Sequence, residues 1–228
     1  MELNKIYNLD CMEGFKEIED ESIDMILTDI PYDGVNKYGA ERAKYKGQIR
    51  DFNKEKADVI TFNLNNFIKE CIRVTKGSIY IFCGLNQISL INEIYRENDL
   101  STRLVIWEKT NPTPVNGQHL WLNGVEVCCF GRKSGATFNE HCKNTVLRFP
   151  SGQRKIHPTE KPLELFKELI LISSNKKDII LDPCIGSGTT AIACYKTDRN
   201  YIGFEKDKEY YEKCIENVTR NTSQMKLF

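Results

Sequence analysis

Two glycines and two acids form the part of this chain best suited to hold a small molecule. Residues 178–205 read DIILDPCIGSGTTAIACYKTDRNYIGFE. The apolar run 179–181 is too short for a helix and suits a buried parallel strand. Gly186 and Gly188 let the backbone turn tightly and approach a ligand with no Cβ in the way. Thr189 and Thr190 then open a helix, whose free N–H groups and dipole attract an anionic group. Residues 201–204 make a second strand that ends at Glu205. An acid roughly 20 residues past such a turn is where nucleoside-binding α/β folds hold a ribose. The stretch fits a nucleoside that carries an anionic end.

The turn narrows the choice of ligand. A dinucleotide site would place a third glycine in G-x-G-x-x-G, but Thr189, Thr190 and Ala191 follow Gly188. A P-loop would carry a lysine after its last glycine, and none is there. S-adenosylmethionine remains, with Asp182 facing its ammonium group and Glu205 its ribose; an ordinary glycine turn is the competing reading. A second candidate is DIPY, residues 29–32, just past the apolar strand SIDMILT at 22–28. Open α/β sheets place their chemistry at that end of a strand. Asp29 there stands beside a proline-stiffened turn and the aromatic face of Tyr32, although the same residues also serve as turn starter, stop and core filler.

The elements that must position these residues can be read from periodicity. A short strand at 5–9 leads to Asp10 and a helix at about 12–18. Leu64, Phe67, Ile68, Cys71 and Ile72 recur at helical spacing, with Gly77 as the expected stop. Strands follow at 78–83, 102–107 and 125–130, with a helix through Ile88, Ile91, Ile94 and Tyr95 after the first of them. Pro162 suits the first position of a helix holding Leu165, Phe166, Leu169 and Ile170 on its inner face. An amphipathic helix through Tyr211, Cys214, Ile215 and Val218 comes last. Strands joined by helices, then two joined by a loop, predict an α/β fold with a mostly parallel sheet and an antiparallel edge pair.

Bulk properties set outer limits. The 228 residues are enough for one domain with its own core. Formal charge is zero, so contact with nucleic acid must come from local patches. Two irregular segments supply them, at about 33–56 and 131–156. The first holds Lys44, Lys46 and Arg50 among other bases, with Tyr38 and Tyr45 between them; the second holds Arg148, Arg154 and Lys155. Bases interleaved with aromatics suit a nucleic-acid backbone, and a solvated charge run is the plain alternative. The nine cysteines are scattered without a C-x-x-C and read as reduced, buried thiols rather than a metal site. No stretch has the length and apolarity of a membrane span, and the expectation is a cytoplasmic protein.

Three separated segments resemble the motifs of one family. DIPY (29–32), HPTEKP (157–162) and DPCIGSGTT (182–190) are similar to those of the amino-group DNA methyltransferases, in the permuted beta order with the catalytic motif first. The resemblance implies a Rossmann-like S-adenosylmethionine-dependent methyltransferase fold acting on duplex DNA. Asp10 and Cys11 would flank the cofactor's adenine, and His157, Thr159 and Lys161 would lie along its methionine end. Asp182, Cys184, Gly186, Ser187, Gly188 and Thr189 would hold its amino acid and ribose, with Glu205 on the ribose hydroxyls. Asp29, Ile30, Pro31 and Tyr32 would hold the target base. Ile30 replaces the first proline of the usual D-P-P-Y, and Cys184 stands where phenylalanine is usual. The implied product is N6-methyladenine, with N4-methylcytosine as the alternative and RNA or protein glutamine as more distant acceptors. A non-catalytic nucleotide-binding module would leave Asp29 and Tyr32 without a purpose. Partners beyond DNA would be a second copy of the chain or a cognate restriction enzyme.

Overall fold

Side chains along the central strands alternate between two apolar layers, as the period of a β-strand requires. On strand β2 (Ile23–Asp29), Met25 and Leu27 enter one core and Ile26 the other; on β3 (Thr75–Cys83), Tyr80 and Phe82 enter the first and Ile79 and Ile81 the second. The computed structural model describes residues 1–32, 60–112, 121–152 and 160–223. Its other strands are β1 (Lys5–Asn8), β4 (Ser101–Lys109), β5 (Val125–Arg132), β6 (Val146–Phe149), β7 (Ile179–Asp182) and β8 (Asn200–Glu205). The eight described strands form a single sheet in the order β1-β8-β7-β2-β3-β5-β4-β6.

Helices cover both faces. The first core packs under α4 (Leu163–Ser173), α5 (Thr189–Thr197) and α6 (Lys208–Ser223), through residues such as Leu165, Ala191 and Val218. The second packs under α1 (Cys11–Lys16), α2 (Leu64–Val74) and α3 (Ile88–Glu97), through Phe15, Phe67 and Ile91. This is the α/β sandwich that the periodicity predicts. Four neighbouring strands, β1, β8, β7 and β2, run parallel, and so does β3 beside them. Their carboxyl ends therefore share one edge of the sheet.

The antiparallel pair is β4 with β5, and β5 also runs antiparallel to β3. Residues 146–149 show no periodicity in a strand of only four, yet they pair parallel with β4 as β6 and stand outside the pair. Two further boundaries shift. Pro162 is the N-cap of α4 rather than its first residue. Gly77 does not stop a helix, because α2 ends at Val74 and Gly77 lies within β3.

The reason Gly77 is glycine is a bulge. Lys76 and Gly77 together face Asp24, between the paired residues Ile23–Thr75 and Met25–Ser78. A Cβ on Gly77 would lie 1.8 Å from the Asp24 carbonyl oxygen. The Asp24 carboxylate then binds Lys76 at 2.9 Å and accepts the Ile179 N–H at 2.8 Å, which ties the bulge to the start of β7.

Of the nine cysteines, seven are buried, Cys184 is half-buried and Cys142 exposed; all are free thiols. Among the described residues no group of three His, Cys, Asp or Glu could hold a metal, and no helix is long and apolar enough to cross a membrane.

Replacing Gly77 with Ala is expected to lower the unfolding free energy by about 1–3 kcal/mol, the cost of forcing an extra methyl into a filled site. Gly152→Ala, where nothing among the described residues lies within 4 Å, serves as the neutral control in the same urea titrations.

Candidate active site

Each of the four parallel strands at the site ends in, or next to, a carboxylate. Asp29 closes β2, Asp182 closes β7, Glu205 closes β8, and Asp10 follows β1. A cavity of about 550 Å³ at this edge is lined by all four, together with Tyr32, Phe62, Lys161 and the glycine turn. Segments far apart in the chain meet there because their strands are neighbours.

The glycine turn is shaped by its two glycines. Gly186 and Gly188 have φ of +51° and +84°, the left-handed region that other residues avoid. A Cβ on Gly188 would also approach Val218 Cγ2 to 2.6 Å and Cys214 Sγ to 2.9 Å, so α6 packs directly on the turn. Asn217 of the same helix donates to the Ser187 carbonyl at 2.8 Å. Gly188 then caps α5.

Asp182 holds the near side of the turn. It accepts the Thr190 hydroxyl at 2.5 Å and the Cys184 N–H at 3.1 Å. Burial pushes its carboxyl up to about 7, against the pull of these donors. Glu205, also raised by burial, accepts the Asp207 N–H at 2.9 Å. Asp10 caps α1 by accepting the Met12 N–H at 2.9 Å, and its other oxygen meets the Lys206 ammonium at 2.9 Å. Cys11 and Cys184 line the cavity between these points.

The DIPY turn is clamped from behind. The Ile30 N–H donates to the Phe82 carbonyl at 3.2 Å, extending the β2–β3 ladder past Asp29. The Gln87 amide donates to the Pro31 carbonyl at 3.0 Å and accepts the Gly84 N–H at 2.7 Å. Gly84 leaves little room there, since an added Cβ would come within 3.3 Å of Tyr32 Cβ.

Asp29 and Tyr32 meet a charged cluster in which Lys161 is central. The Lys161 ammonium, on a side chain only 3% exposed, lies 2.5 Å from Asp29 Oδ2 and 3.0 Å from Glu126 Oε2. It also sits over the rings of Tyr32 and Phe82, at 5.3 and 5.4 Å. Glu126 binds the buried Lys109 ammonium at 2.8 Å and accepts the Tyr32 hydroxyl at 3.2 Å. Burial pushes the Asp29 carboxyl up to about 6, with Lys161 opposing and Glu126 adding to the rise. For Lys161, burial acts against the charge, but Asp29 and Glu126 outweigh it and its pKa rises. For Glu126, burial is likewise outweighed by Lys161 and Lys109, and its pKa falls. Asp29 Oδ1 is buried without a hydrogen-bond partner among the described residues.

The structure thus brings Asp10, Cys11, Asp29 to Tyr32, Asp182 to Ser187, Thr189 and Glu205 to one cavity; Gly188 shapes the turn without lining it. Lys161, expected along the methionine end of a cofactor, lines the same cavity with its ammonium engaged by Asp29 and Glu126. His157, Thr159, Lys44, Lys46, Arg50, Arg154 and Lys155 lie outside the described residues. Arg148 is on the exposed edge strand β6 and pairs with Glu108 at 3.0 Å. Nearby bases are paired too, Lys133 with Glu21 and Lys143 with Glu168, so acids from distant segments neutralise part of the 131–156 charge.

Glu126, Lys109 and Gln87 escape the motifs. A signal for the first was present: Glu126 interrupts the apolar strand VEVCCF, and a lone acid on a buried strand needs a partner.

Comparison with known proteins finds relatives across most of the chain. A family model for N6/N4 methyltransferases, described as DNA methylase, matches residues 23–146 and 132–216. The type II methyltransferase M2.MboI of Moraxella bovis is 33% identical over 91% of this chain and 84% of its own. For M.HinfI of Haemophilus influenzae the identity is 32%, over 99% and 72%. The crystal structure of the M1.HpyAVI–SAM complex superposes with a TM-score of 0.71 at 28% identity, covering 94% of this chain and 98% of that one.

Lys161→Met is expected to destabilise the protein by about 3–5 kcal/mol, because it leaves the Asp29 and Glu126 carboxylates facing each other without their shared cation. Urea denaturation near neutral pH measures the loss. It should shrink as pH falls, since protonating either carboxyl relieves the repulsion.

Proposed function

The chain belongs to the N6/N4 DNA methylase family, and from that membership we propose that it methylates the N6 amine of an adenine flipped out of duplex DNA, using S-adenosylmethionine. The observation that carries this reading is the single cavity into which both the DIPY turn and the DPCIGSGTT turn open. A donor and an acceptor of a methyl group must share one space.

The residues at the glycine turn suit the cofactor. Asp182 is buried, and its hydrogen-bond partners are a hydroxyl and a backbone N–H, neither of them a cation. A carboxylate in that state favours an ammonium beside it, which the amino-acid end of the cofactor provides. The bare backbone at Gly186 and the N-terminus of α5 suit its carboxylate, and Glu205 its ribose hydroxyls. Asp10 and Cys11 fit beside its adenine, while Cys184 fills less of the wall than phenylalanine would. When bound, the cofactor supplies a methyl group on a sulfonium centre.

Asp29, Ile30, Pro31 and Tyr32 act on the base. The exocyclic amine of adenine is a poor nucleophile, because its lone pair is delocalised into the ring. Asp29 Oδ1, a buried acceptor without a donor among the described residues, takes one N–H, and the Ile30 carbonyl takes the other. Leaving such an acceptor unsatisfied costs about 1–3 kcal/mol, so the amine is drawn to it. Both contacts pull the nitrogen toward tetrahedral geometry and stabilise the charge that develops on it. Tyr32 presents the ring on which an extruded base stacks. With a carboxyl at about 6, Asp29 is an acceptor at neutral pH and loses that role in acid.

Lys44, Lys46, Arg50, Arg148, Arg154 and Lys155 are assigned to the DNA phosphates; Arg148 would exchange Glu108 for one. The 131–156 segment is short for a separate recognition domain, which favours a short target sequence or help from a second copy of the chain. A restriction enzyme cutting the same sequence is the natural counterpart of a type II methyltransferase, and a cytoplasmic setting gives both access to DNA.

N4-methylcytosine is the second reading, since the family covers both amines. Asp29 favours adenine by resemblance, as N4 enzymes usually carry serine there. Digestion of methylated duplex DNA to nucleosides decides between them. N6-methyladenine is expected; N4-methylcytosine as the main product would overturn the choice of base.

Asp29→Ala is expected to abolish methyl transfer and leave cofactor affinity close to that of the parent. Glu205→Ala should instead weaken cofactor binding by about 1–3 kcal/mol, the scale of hydrogen bonds to a charged group. Calorimetry with S-adenosylmethionine on both variants separates the roles, and loss of binding in the Asp29 variant would break the assignment.

A further inference from the structure

The motif residues do not explain why Asp29 is held as it is. Its cation partner, Lys161, is itself anchored by Glu126, an acid of β5 outside every motif. Glu126 also receives the Tyr32 hydroxyl, so one carboxylate touches partners on both sides of the DIPY turn. Behind it stands Lys109 of β4, whose side chain is 5% exposed and whose ammonium lies 2.8 Å from Glu126 Oε1. Two carboxylates and two ammoniums thus form one buried, neutral cluster.

Resting on the reading of Asp29 and Tyr32 as base-binding residues, the structure assigns Glu126 as a positioning residue for methyl transfer, holding Lys161 against Asp29 and anchoring the Tyr32 ring, with Lys109 as its counter-ion. A side chain fixed by two or more partners keeps its rotamer, and small errors in placing a reacting group cost rate steeply. Lys161 binds Oδ2 and leaves Asp29 Oδ1 without a partner among the described residues, which aims the acceptor without occupying it. Anchoring the Tyr32 hydroxyl fixes the stacking ring in the same way. Glu126 itself needs no contact with the base.

The cluster's charge balance supplies a test that a merely structural role would not pass. The titratable groups around Asp29 are Lys161 ahead of α4, Glu126 on β5 with Lys109 behind it, Tyr32 on its own turn, Cys128 on β5 and Asp182 on β7. Glu126→Gln removes one negative charge and keeps the shape and an acceptor for Tyr32. Lys109→Met removes one positive charge. The first should make Asp29 easier to ionise and the second harder. The double variant is neutral again and should return Asp29 close to its starting point.

The experiment follows the Asp29 carboxyl by NMR in protein carrying 13C-labelled aspartate, with Asp29→Asn to assign the signal. From the wild-type midpoint of about 6, a shift of about one pH unit or more is expected, downward in Glu126→Gln and upward in Lys109→Met. In parallel, kcat on duplex DNA should fall about tenfold or more in Glu126→Gln, the scale of a misplaced reacting group. Glu126→Leu, which also loses the acceptor for Tyr32, should raise KM for DNA as well. Adding Tyr32→Phe to Glu126→Leu should raise it no further. A midpoint that stays put in both charge variants, or full kcat in Glu126→Gln, would overturn the assignment. If Glu126→Gln fails to fold, the shift in Lys109→Met decides alone. Absence of any transfer by the wild-type protein would count against the proposed function and leave the titration to judge the cluster.

Discussion

Taking an ammonium out of water costs several kcal/mol unless carboxylates meet it with good geometry. Lys161 is in that position, and Asp29 and Glu126 satisfy it from two strands that are far apart in the chain. The placement of the Asp29 carboxylate depends on this contact. With Lys161 in place, the two carboxylates can both be charged and close; without it, one would have to take up a proton. The cluster is a constraint on the fold as much as on the chemistry, because a strand register that moved Asp29 or Glu126 to the other face would strand the cation.

The sheet explains how that constraint is met. Side chains alternate along each strand, so Met25, Leu27 and Asp29 share a face of β2. Phe82 pairs with Asp29 in register and Cys128 pairs with Phe82. Counting two residues from Cys128 brings Glu126 to that same face, and two from Trp107 brings Lys109 there. The segment ahead of α4 delivers Lys161, the cation that Asp29 and Glu126 share. On the neighbouring strands, parallel pairing places Asp182, Glu205 and Asp10 at one edge, so these three acids and Asp29 face a common space. Parallel order, rather than any single loop, makes the site.

The glycines serve this arrangement in two different ways. Gly188 combines a left-handed backbone with a close approach of α6, and the turn would not pack with any side chain there. Gly77 has no such backbone requirement; it is glycine because β3 carries an extra residue opposite Asp24. That bulge is tied to β7, the strand that ends in Asp182, because the Asp24 carboxylate accepts the Ile179 N–H.

Local chemistry was enough to read much of this from the sequence. Strand–glycine–helix patterning with Asp182 and Glu205 at its ends suits a nucleoside, because turn conformation and helix polarity are properties of a few adjacent residues. The same holds for the DIPY turn, for the alternation of strands and helices that fixes an α/β class, and for cysteines that sit in apolar runs. What depends on long-range pairing was not legible. Strand β6 is four residues long and exists because β4 offers it an edge. Gly77 reads as a helix stop until the register with β2 is known. Lys161 belongs by its motif to the cofactor end, and only the packing of α4 against β2 turns its ammonium to Asp29. Glu126 was not singled out in the sequence, and an acid on an apolar strand announces only that some partner is needed. Which partner it meets is decided by strand order and register, and these are set by the whole core at once.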